Sequence, residues 1–477
     1  MTIGEKVRER KMLSKTMRIE SYLLFALSAS MVIPLVLAFA YGENGSVVAF
    51  AKSAGICASI GLACYVFSKP IKSELKLRDK YFLVAFSFLL ASLAGSLPFI
   101  YSGALPSFAD ALFESCSGFT TTGASAIADL SMVSQSVLFW RAFTQWLGGL
   151  GVLLFVVTLL PVSAMNGQHF PFYKVYFVLT AAEIVLLKLG GLSFFDAITH
   201  TFSTVSTGGF SAYNESAAHF GAFAQIVILL FMLLAGTNFG LYIIARRRGF
   251  SSIKNDEEMR FYLVITALIS SLVFMAVSLY DHYADIGREF IDSAFQVVSV
   301  ISTTGFTTAD YDMWPTFAQM LILCLFFFGG CSSSCAGGVK CVRIVVCLKL
   351  IKRSVSLRIH PNRIAPVMLN DVEIPTETVI RITGFVLTYI AVIFGGTLLL
   401  SVNNLDFVSS FSAAASCLGN IGIGIAGSAG AGSIGGFAMF SAFSKLVCAF
   451  LMIVGRLEIF TVFILFSKYY RNPNYTR

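Results

Sequence analysis

About ten runs of mostly apolar residues recur along the 477-residue chain, near 20–41, 47–68, 81–100, 136–160, 174–192, 222–245, 261–280, 316–348, 379–401 and 439–467. Crossing roughly 30 Å of hydrocarbon takes about 20 such residues as a helix. Only helices and closed barrels satisfy every backbone polar group in lipid, so the runs predict an all-α integral membrane protein. Composition agrees: 56% of residues are hydrophobic and 13% charged, against about 25% charged in a soluble domain. The eighth run is overlong and interrupted.

Lys and Arg collect in alternate connections. "KVRERKMLSKTMR", "SKPIKSELKLRDK", "RRRGF", "LIKRSVSLRIHPNR" and "SKYYRNPNYTR" hold most of the 34 basic residues, whereas the other connections keep chiefly Lys52 and Arg288. By the positive-inside rule both termini face the cytosol. Basic inner loops against anionic membrane lipid account for the net charge of +8, and no nucleic-acid partner is implied. The first run is too long for a signal-peptide core, so no cleaved signal is expected. The ten cysteines fall mostly within the runs and read as small buried apolar residues, not disulfides or metal ligands.

Four of the outer connections carry a moderately apolar stretch of about 12 residues, too short to cross, and then a glycine cluster. They read "DALFESCSGFTTTGAS" from Asp110, "DAITHTFSTVSTGGFS" from Asp196, "DSAFQVVSVISTTGFTT" from Asp292 and "SSFSAAASCLGNIGIG" from Ser409. Asp110 and Gly123, Asp196 and Gly209, and Asp292 and Gly305 share one spacing. It predicts a short helix whose aspartate caps free N–H groups at the positive end of the dipole, followed by a loop. In the fourth copy Asp406 to Gly419 keeps the spacing, and Ser409 to Gly422 keeps it equally.

The chain thus divides into two leading spans, 1–70, and four units of span, re-entrant helix, loop and span at 71–162, 163–250, 251–370 and 371–477. Non-helical backbone at membrane depth must line water or be buried in protein. Four loops around one axis would offer their carbonyls to a cation in place of its water shell. Glycine permits the backbone angles required, and the negative helix C-termini would favour a cation. Singly, each cluster would be an ordinary turn; the repetition argues otherwise.

These segments resemble the Trk/Ktr/HKT superfamily of cation transporters, most closely its bacterial TrkH branch. The resemblance rests on "TTTGA", "STGGF", "STTGF" and "GNIGI", together with "FWRAFTQWLGGLGV" from Phe139, "GGCSSSCAGGVK" from Gly329 and "GRLEIFTVFILF" from Gly455. It implies a pseudo-fourfold pore within one chain. Its filter residues would be Thr121, Thr122 and Gly123, then Thr207, Gly208 and Gly209, then Thr303, Thr304 and Gly305, and last Asn420, Ile421 and Gly422. K⁺, the transported ion, would be held at Thr122, Gly123, Gly209, Thr304, Gly305, Ile421 and Gly422. The family's fourth filter reads G-N-x-G, which favours Gly422 over Gly419. Glycine in all four loops is associated there with K⁺ preference; Na⁺ or mixed permeation and ion-coupled symport are the alternatives. The resemblance also implies a bacterial inner-membrane location, a homodimer, a separate cytosolic nucleotide-binding ring as regulator, and no covalent cofactor.

"GGCSSSCAGGVKC", Gly329 to Cys341, interrupts the eighth run with glycines and serines that disfavour a stable helix. Beneath the filter of its own unit it would cross the ion path. The resemblance treats it as a movable gate that includes Gly329, Gly330, Gly337, Gly338 and Lys340; a glycine-lined helix contact is the blander reading. It is no phosphate loop, because Val339 separates Gly338 from Lys340. Ionisable residues within spans are functional candidates. Arg456, in the last span, would repel ions below the filter and favour a closed state, the role the resemblance assigns, while Glu458 reads as a partner for a neighbouring helix. Arg141, Lys445, Glu183 and Lys188 read as structural pairs or snorkelling groups.

His169, His200, His219, His282 and His360 are scattered, which speaks against an intramembrane enzyme site. A two-span unit repeated four times does not fit an inverted-repeat transporter. Basic inner loops at 246–260 and 349–363 are candidate docking sites, and the short connection at 161–173 would reduce that surface.

Overall fold

Helices carry nearly all the apolar runs, because a hydrogen-bond ladder internal to each segment is what a chain in lipid requires. The structure is a computed structural model that describes residues 3–70, 77–159, 172–249, 251–280, 285–363, 365–425 and 436–466. The connection expected at 161–173 lies almost wholly outside them. The leading segment comprises α1 (Ile3–Ser30), α2 (Val32–Ala40) and α3 (Asn44–Phe67). The next unit is α4 (Leu77–Tyr101), α5 (Phe108–Phe119) and α6 (Gln135–Leu159). Then come α7 (Phe172–Leu189), α8 (Phe194–Val205), α9 (Ala222–Ala235) and α10 (Phe239–Arg248).

After the single turn α11 (Ser251–Lys254) follow α12 (Glu257–Tyr280), α13 (Ile286–Ile301), α14 (Thr316–Leu325) and α15 (Cys341–Ile359). A hairpin of β1 (Met368–Leu369) and β2 (Val372–Glu373), turned by Asn370 and Asp371 at positive φ, leads into the last unit. That unit is α16 (Thr376–Ser401), α17 (Phe407–Gly419), α18 (Ala442–Arg456) and α19 (Ile459–Phe466). Among the described residues five helical stretches are long and apolar enough to cross a membrane, or seven if each of two bent pairs counts as one. Exposed Phe39, Leu398 and Phe466 belong to the apolar surface such a chain presents to lipid.

At 1.5 Å per residue, α5, α8, α13 and α17, with 12, 12, 16 and 13 residues, are too short to cross. They are packed in a circle: α6 lies on α8, α9 on α13, and α18 on α5, so the last unit closes on the first. Phe327 against Phe411 joins the third unit to the fourth. Glycines make the crossings close. A Cβ on Gly148 would lie 2.2 Å from the Phe119 carbonyl oxygen, and one on Gly455 would lie 2.0 Å from that of Leu418.

Two sequence expectations need correction. The aspartates at the constant spacing are not caps. Asp110 and Asp196 lie in the first turn behind Ser107 and Ser193, and Asp292 lies deeper in α13, whose cap is Asp285. In the fourth unit Asp406 caps α17 by accepting from the Ser409 N–H at 3.2 Å. Second, the sixth and tenth runs are not straight spans. α9 and α10 meet at 84°, and α18 and α19 at 106°. Gly236 ends α9 and Asn238 restarts the helix by accepting from the Gly240 N–H at 2.9 Å, whereas Glu458 at φ +56° turns the chain after α18. Lys188, exposed at the end of α7, donates to the Leu192 carbonyl at 3.1 Å, in keeping with a snorkelling group, and leaves Glu183 fully buried. All ten cysteines are free, as expected.

A methyl at the α5–α6 crossing has no room, so Gly148→Ala is expected to destabilise the protein by about 1–3 kcal/mol. Gly151→Ala, with nothing within 4 Å of the new Cβ, should be neutral or better. Thermal unfolding of the two variants in detergent checks the contrast.

Candidate ion-conducting site

Each short helix ends in the same way. The residue after its last turn takes the left-handed conformation: Thr121 at φ +52°, Thr207 at +55°, Thr303 at +56° and Asn420 at +55°. For a residue with a Cβ this costs about 1–2 kcal/mol. It is offset by backbone bonds that reach back to the helix. The N–H groups of Thr122, Gly208, Thr304 and Ile421 donate to the carbonyls of Ser117, Ser203, Ser299 and Ser416 at 2.8, 2.7, 2.8 and 2.9 Å. This is a Schellman closure, which spends the loop's N–H groups on the helix and leaves its carbonyls available. Two residues after each left-handed residue stands a glycine at positive φ: Gly123 at +87°, Gly209 at +75°, Gly305 at +87° and Gly422 at +90°. Gly422, not Gly419, therefore occupies the equivalent position in the fourth unit.

The four loops form a closed ring. The Gly208 carbonyl oxygen lies 2.1 Å from where a Cβ on Gly123 would stand, and that of Thr304 lies 1.9 Å from one on Gly209. The Ile421 oxygen stands 2.1 Å from one on Gly305, and the Thr122 oxygen 2.1 Å from one on Gly422. Every unit's carbonyl thus covers the glycine of the unit before it, and each glycine is required twice, by its backbone angle and by its neighbour. The Thr122 hydroxyl is braced by Thr120 at 2.8 Å and that of Thr304 by Ser302 at 2.8 Å. The second loop differs because Gln145 fills that space: its Nε2 donates to Gly208 O at 2.7 Å, and a Cβ at Gly208 would lie 2.4 Å from its side chain.

Above the ring, each loop is tied to the next. The Leu130 N–H donates to Asn214 Oδ1 at 2.9 Å, the Ala218 N–H to Thr307 O at 3.1 Å, and the Phe437 N–H to Ser125 O at 2.7 Å. Tyr311 donates to Gly424 O. Charges reinforce the ties. Arg141 and Glu114, both buried, pair at 2.7 Å, and Arg141 also donates to Ser211 O at 2.9 Å in the next unit. Arg288 reaches Gln225 at 2.6 Å, and Lys445 pairs with Asp110 at 2.7 Å. Arg141 and Lys445 are accordingly structural, as the sequence reading held.

Beneath the ring lies the Gly329–Cys341 loop. Its neck is closed by Gly329 N–H to Val339 O at 2.8 Å and Cys341 N–H to Gly330 O at 3.1 Å. Its tip meets the loops of the ring directly: the Gly337 N–H donates to Thr303 Oγ1 at 2.7 Å, and a Cβ on Gly337 would lie 2.4 Å from Gly419 O. The bend after α9 receives it, since Gly236 O accepts from the Cys331 N–H at 2.8 Å. Lys340 Nζ turns in to the Ala336 carbonyl. Arg456 Nη1 donates to Cys335 O at 2.8 Å, while its Nε and Nη2 are buried without a partner among the described residues. Glu458 leaves Arg456 and pairs with Arg343 at 2.7 Å. Sequence reasoning missed Gln145 and the hinge at Gly236; of the two only the hinge left a signal, the "GTN" before Phe239.

Re-entrant helices closing a ring of non-helical backbone inside a multi-pass bundle define a membrane transport protein, not an enzyme. The chain belongs to the TrkH family of cation transport proteins, which it matches over residues 47–172 and 169–477. It is 32% identical to a Trk system potassium uptake protein TrkH of Vibrio parahaemolyticus over 94% of this chain and 97% of the relative. It is likewise 32% identical to the Trk system potassium uptake protein TrkG of Escherichia coli, over 94% and 96%. The crystal structure of the potassium transporter TrkH from Vibrio parahaemolyticus superposes with a TM-score of 0.90, covering 96% of this chain and 99% of that one.

Removing one member of a buried ion pair strands the other charge, at about 3–5 kcal/mol. Arg141→Met is expected to destabilise by that amount, and Arg141→Met with Glu114→Gln by clearly less. A double-mutant cycle on thermal unfolding in detergent measures the difference.

Proposed function

We propose that this chain takes up potassium across the bacterial inner membrane through a channel-like pore whose filter is the ring of loop carbonyls. The observation that carries the reading is the closed succession of carbonyl over glycine at Gly123, Gly209, Gly305 and Gly422. Carbonyl oxygens arranged in a ring can replace the hydration shell of a K⁺ ion, and the short helices point their negative ends toward it. The names of the relatives, potassium uptake proteins at 32% identity, support the same ion.

In this reading K⁺ is the cargo, held at Thr122, Gly123, Gly209, Thr304, Gly305, Ile421 and Gly422, with Thr121, Thr207, Gly208, Thr303 and Asn420 completing the filter loops. The Gly329–Cys341 loop, with Gly330, Gly337, Gly338 and Lys340, is the gate. Arg456 holds it shut from below by its bond to Cys335 O and by repelling cations. The termini face the cytosol, the basic inner loops lie against lipid, the protein works as a homodimer, and a cytosolic nucleotide-binding ring regulates it.

The test is ion flux in liposomes containing the purified protein. K⁺ is expected to pass faster than Na⁺, and choline not at all. Gly305→Ser places a side chain at φ +87° and 2.1 Å from Ile421 O; it should cut K⁺ flux by about tenfold or more and narrow the K⁺ to Na⁺ ratio. Equal passage of choline and K⁺, or a Gly305→Ser protein that conducts like the parent, refutes the filter. Arg456→Ala should raise basal K⁺ flux by about tenfold, which takes only ~1.4 kcal/mol of electrostatic bias; unchanged flux would give Arg456 a purely structural role.

A further inference from the structure

Glu258 is the second residue of α12 and is buried. Its carboxylate faces the Gly329–Cys341 loop from a helix of the same unit, yet its partners are 74 and 84 positions away. Oε1 accepts from the Ser332 N–H at 2.6 Å and from the Val342 N–H at 3.1 Å, and Oε2 accepts from Ser332 Oγ at 2.6 Å. One carboxylate therefore holds both limbs of the loop's neck.

The donors that converge at this point suit a carboxylate acceptor. Val342 N–H is one of the free donors in the first turn of α15, whose cap residue Lys340 makes no side-chain bond to them. Glu258 supplies the missing cap from another helix. It also sits in the first turn of its own helix, so it lies at the positive ends of two helices at once. Bonds from N–H and O–H to a carboxylate are about twice as strong as those between neutral groups. At the tip the loop is held by one bond between neutral groups, Gly337 N–H to the Thr303 hydroxyl, and by one charge-assisted bond, from Arg456 to Cys335 O.

We propose that Glu258 is the latch that keeps the Gly329–Cys341 loop folded across the ion path. The inference rests on reading that loop as the gate. Glu258 is a positioning residue: it touches no ion, and it acts by joining Ser332 in the loop to Val342 at the start of α15. Losing the carboxylate frees the two limbs to separate and lets the tip withdraw from Thr303.

The experiment measures K⁺ and Na⁺ flux in liposomes for Glu258→Gln, together with labelling by N-ethylmaleimide of Cys335, a fully buried thiol in the loop, located by peptide mass spectrometry. The expected result is a rise of about tenfold in basal K⁺ flux, an unchanged K⁺ to Na⁺ ratio because the filter is untouched, and labelling of Cys335. A monodisperse Glu258→Gln protein with parental flux and a protected Cys335 overturns the latch. If Glu258 variants do not fold, Ser332→Ala removes one hydroxyl donor and keeps the carboxylate. It should raise flux by about threefold, and no change there overturns the proposal equally. A parent protein that fails to select K⁺ refutes the pore reading instead, whereas Cys335 labelling still reports whether Glu258 holds the loop.

Discussion

An unpaired backbone carbonyl in hydrocarbon costs several kcal/mol, and the breaks in helix after the four short helices are organised around that cost. The loops after α5, α8, α13 and α17 spend their N–H groups on the preceding helix, through bonds to Ser117, Ser203, Ser299 and Ser416. What remains is an excess of acceptors, of which Gly208 O is met by the Gln145 amide, and the four loops face one another. The left-handed residues at Thr121, Thr207, Thr303 and Asn420 are the means: without that turn the chain would continue outward and its carbonyls would point along the helix axis. A ring of acceptors inside a membrane is stable only if something positive completes it, so the local geometry and the transported cation are two sides of one requirement.

Much of this was legible in the sequence because the repeat is a repeat of backbone need. Gly123, Gly209 and Gly305 fall at one interval after an aspartate, and the interval survives because the run from the aspartate to the helix end and the loop beyond it repeat, although α13 is longer than α5 and α8 at its start. The reason first assigned to the aspartates was mistaken: serine caps α8, and Asp110, Asp196 and Asp292 sit further in, one of them tied to Lys445 across the closure of the ring. Spacing reports where a residue lies and is silent about what it touches. The bends after α9 and α18 were hidden for a related reason. Hydropathy counts apolar residues, and "AGTNFG" and "GRLEIF" are apolar enough on average to be read as continuous helix.

Charges divide by depth. Those above the ring are paired, Arg141 with Glu114 and Arg288 with Asp292 inside their own units and Lys445 with Asp110 across the closure; Arg141 and Arg288 also reach Ser211 O and Gln225 of a neighbouring unit, so that the four loops are held in a single collar. Below the ring, Arg456 keeps two of its nitrogens unpartnered among the described residues, and Lys340 is bound only to a carbonyl of its own loop. If the ring holds a cation, as proposed, unpaired positive charge beneath it opposes occupancy, whereas paired charge above it is neutral toward the ion. Of these pairings only Arg288 with Asp292, four positions apart on one helix, follows from sequence separation; Lys445 and Asp110 stand 335 positions apart.

The four units are alike but not identical, and the differences fall where symmetry would be harmful. Only the third carries the Gly329–Cys341 loop, and its tip already fills the space against Thr303 and Gly419. A homotetramer with this loop in every subunit would bring four copies to a place with room for one. Joining the units in a single polypeptide removes that conflict of stoichiometry. One quadrant carries the Gly329–Cys341 loop, its neighbour supplies the bend at Gly236 that receives it, and another supplies Arg456, with no mutation in one obliging the same mutation in the rest.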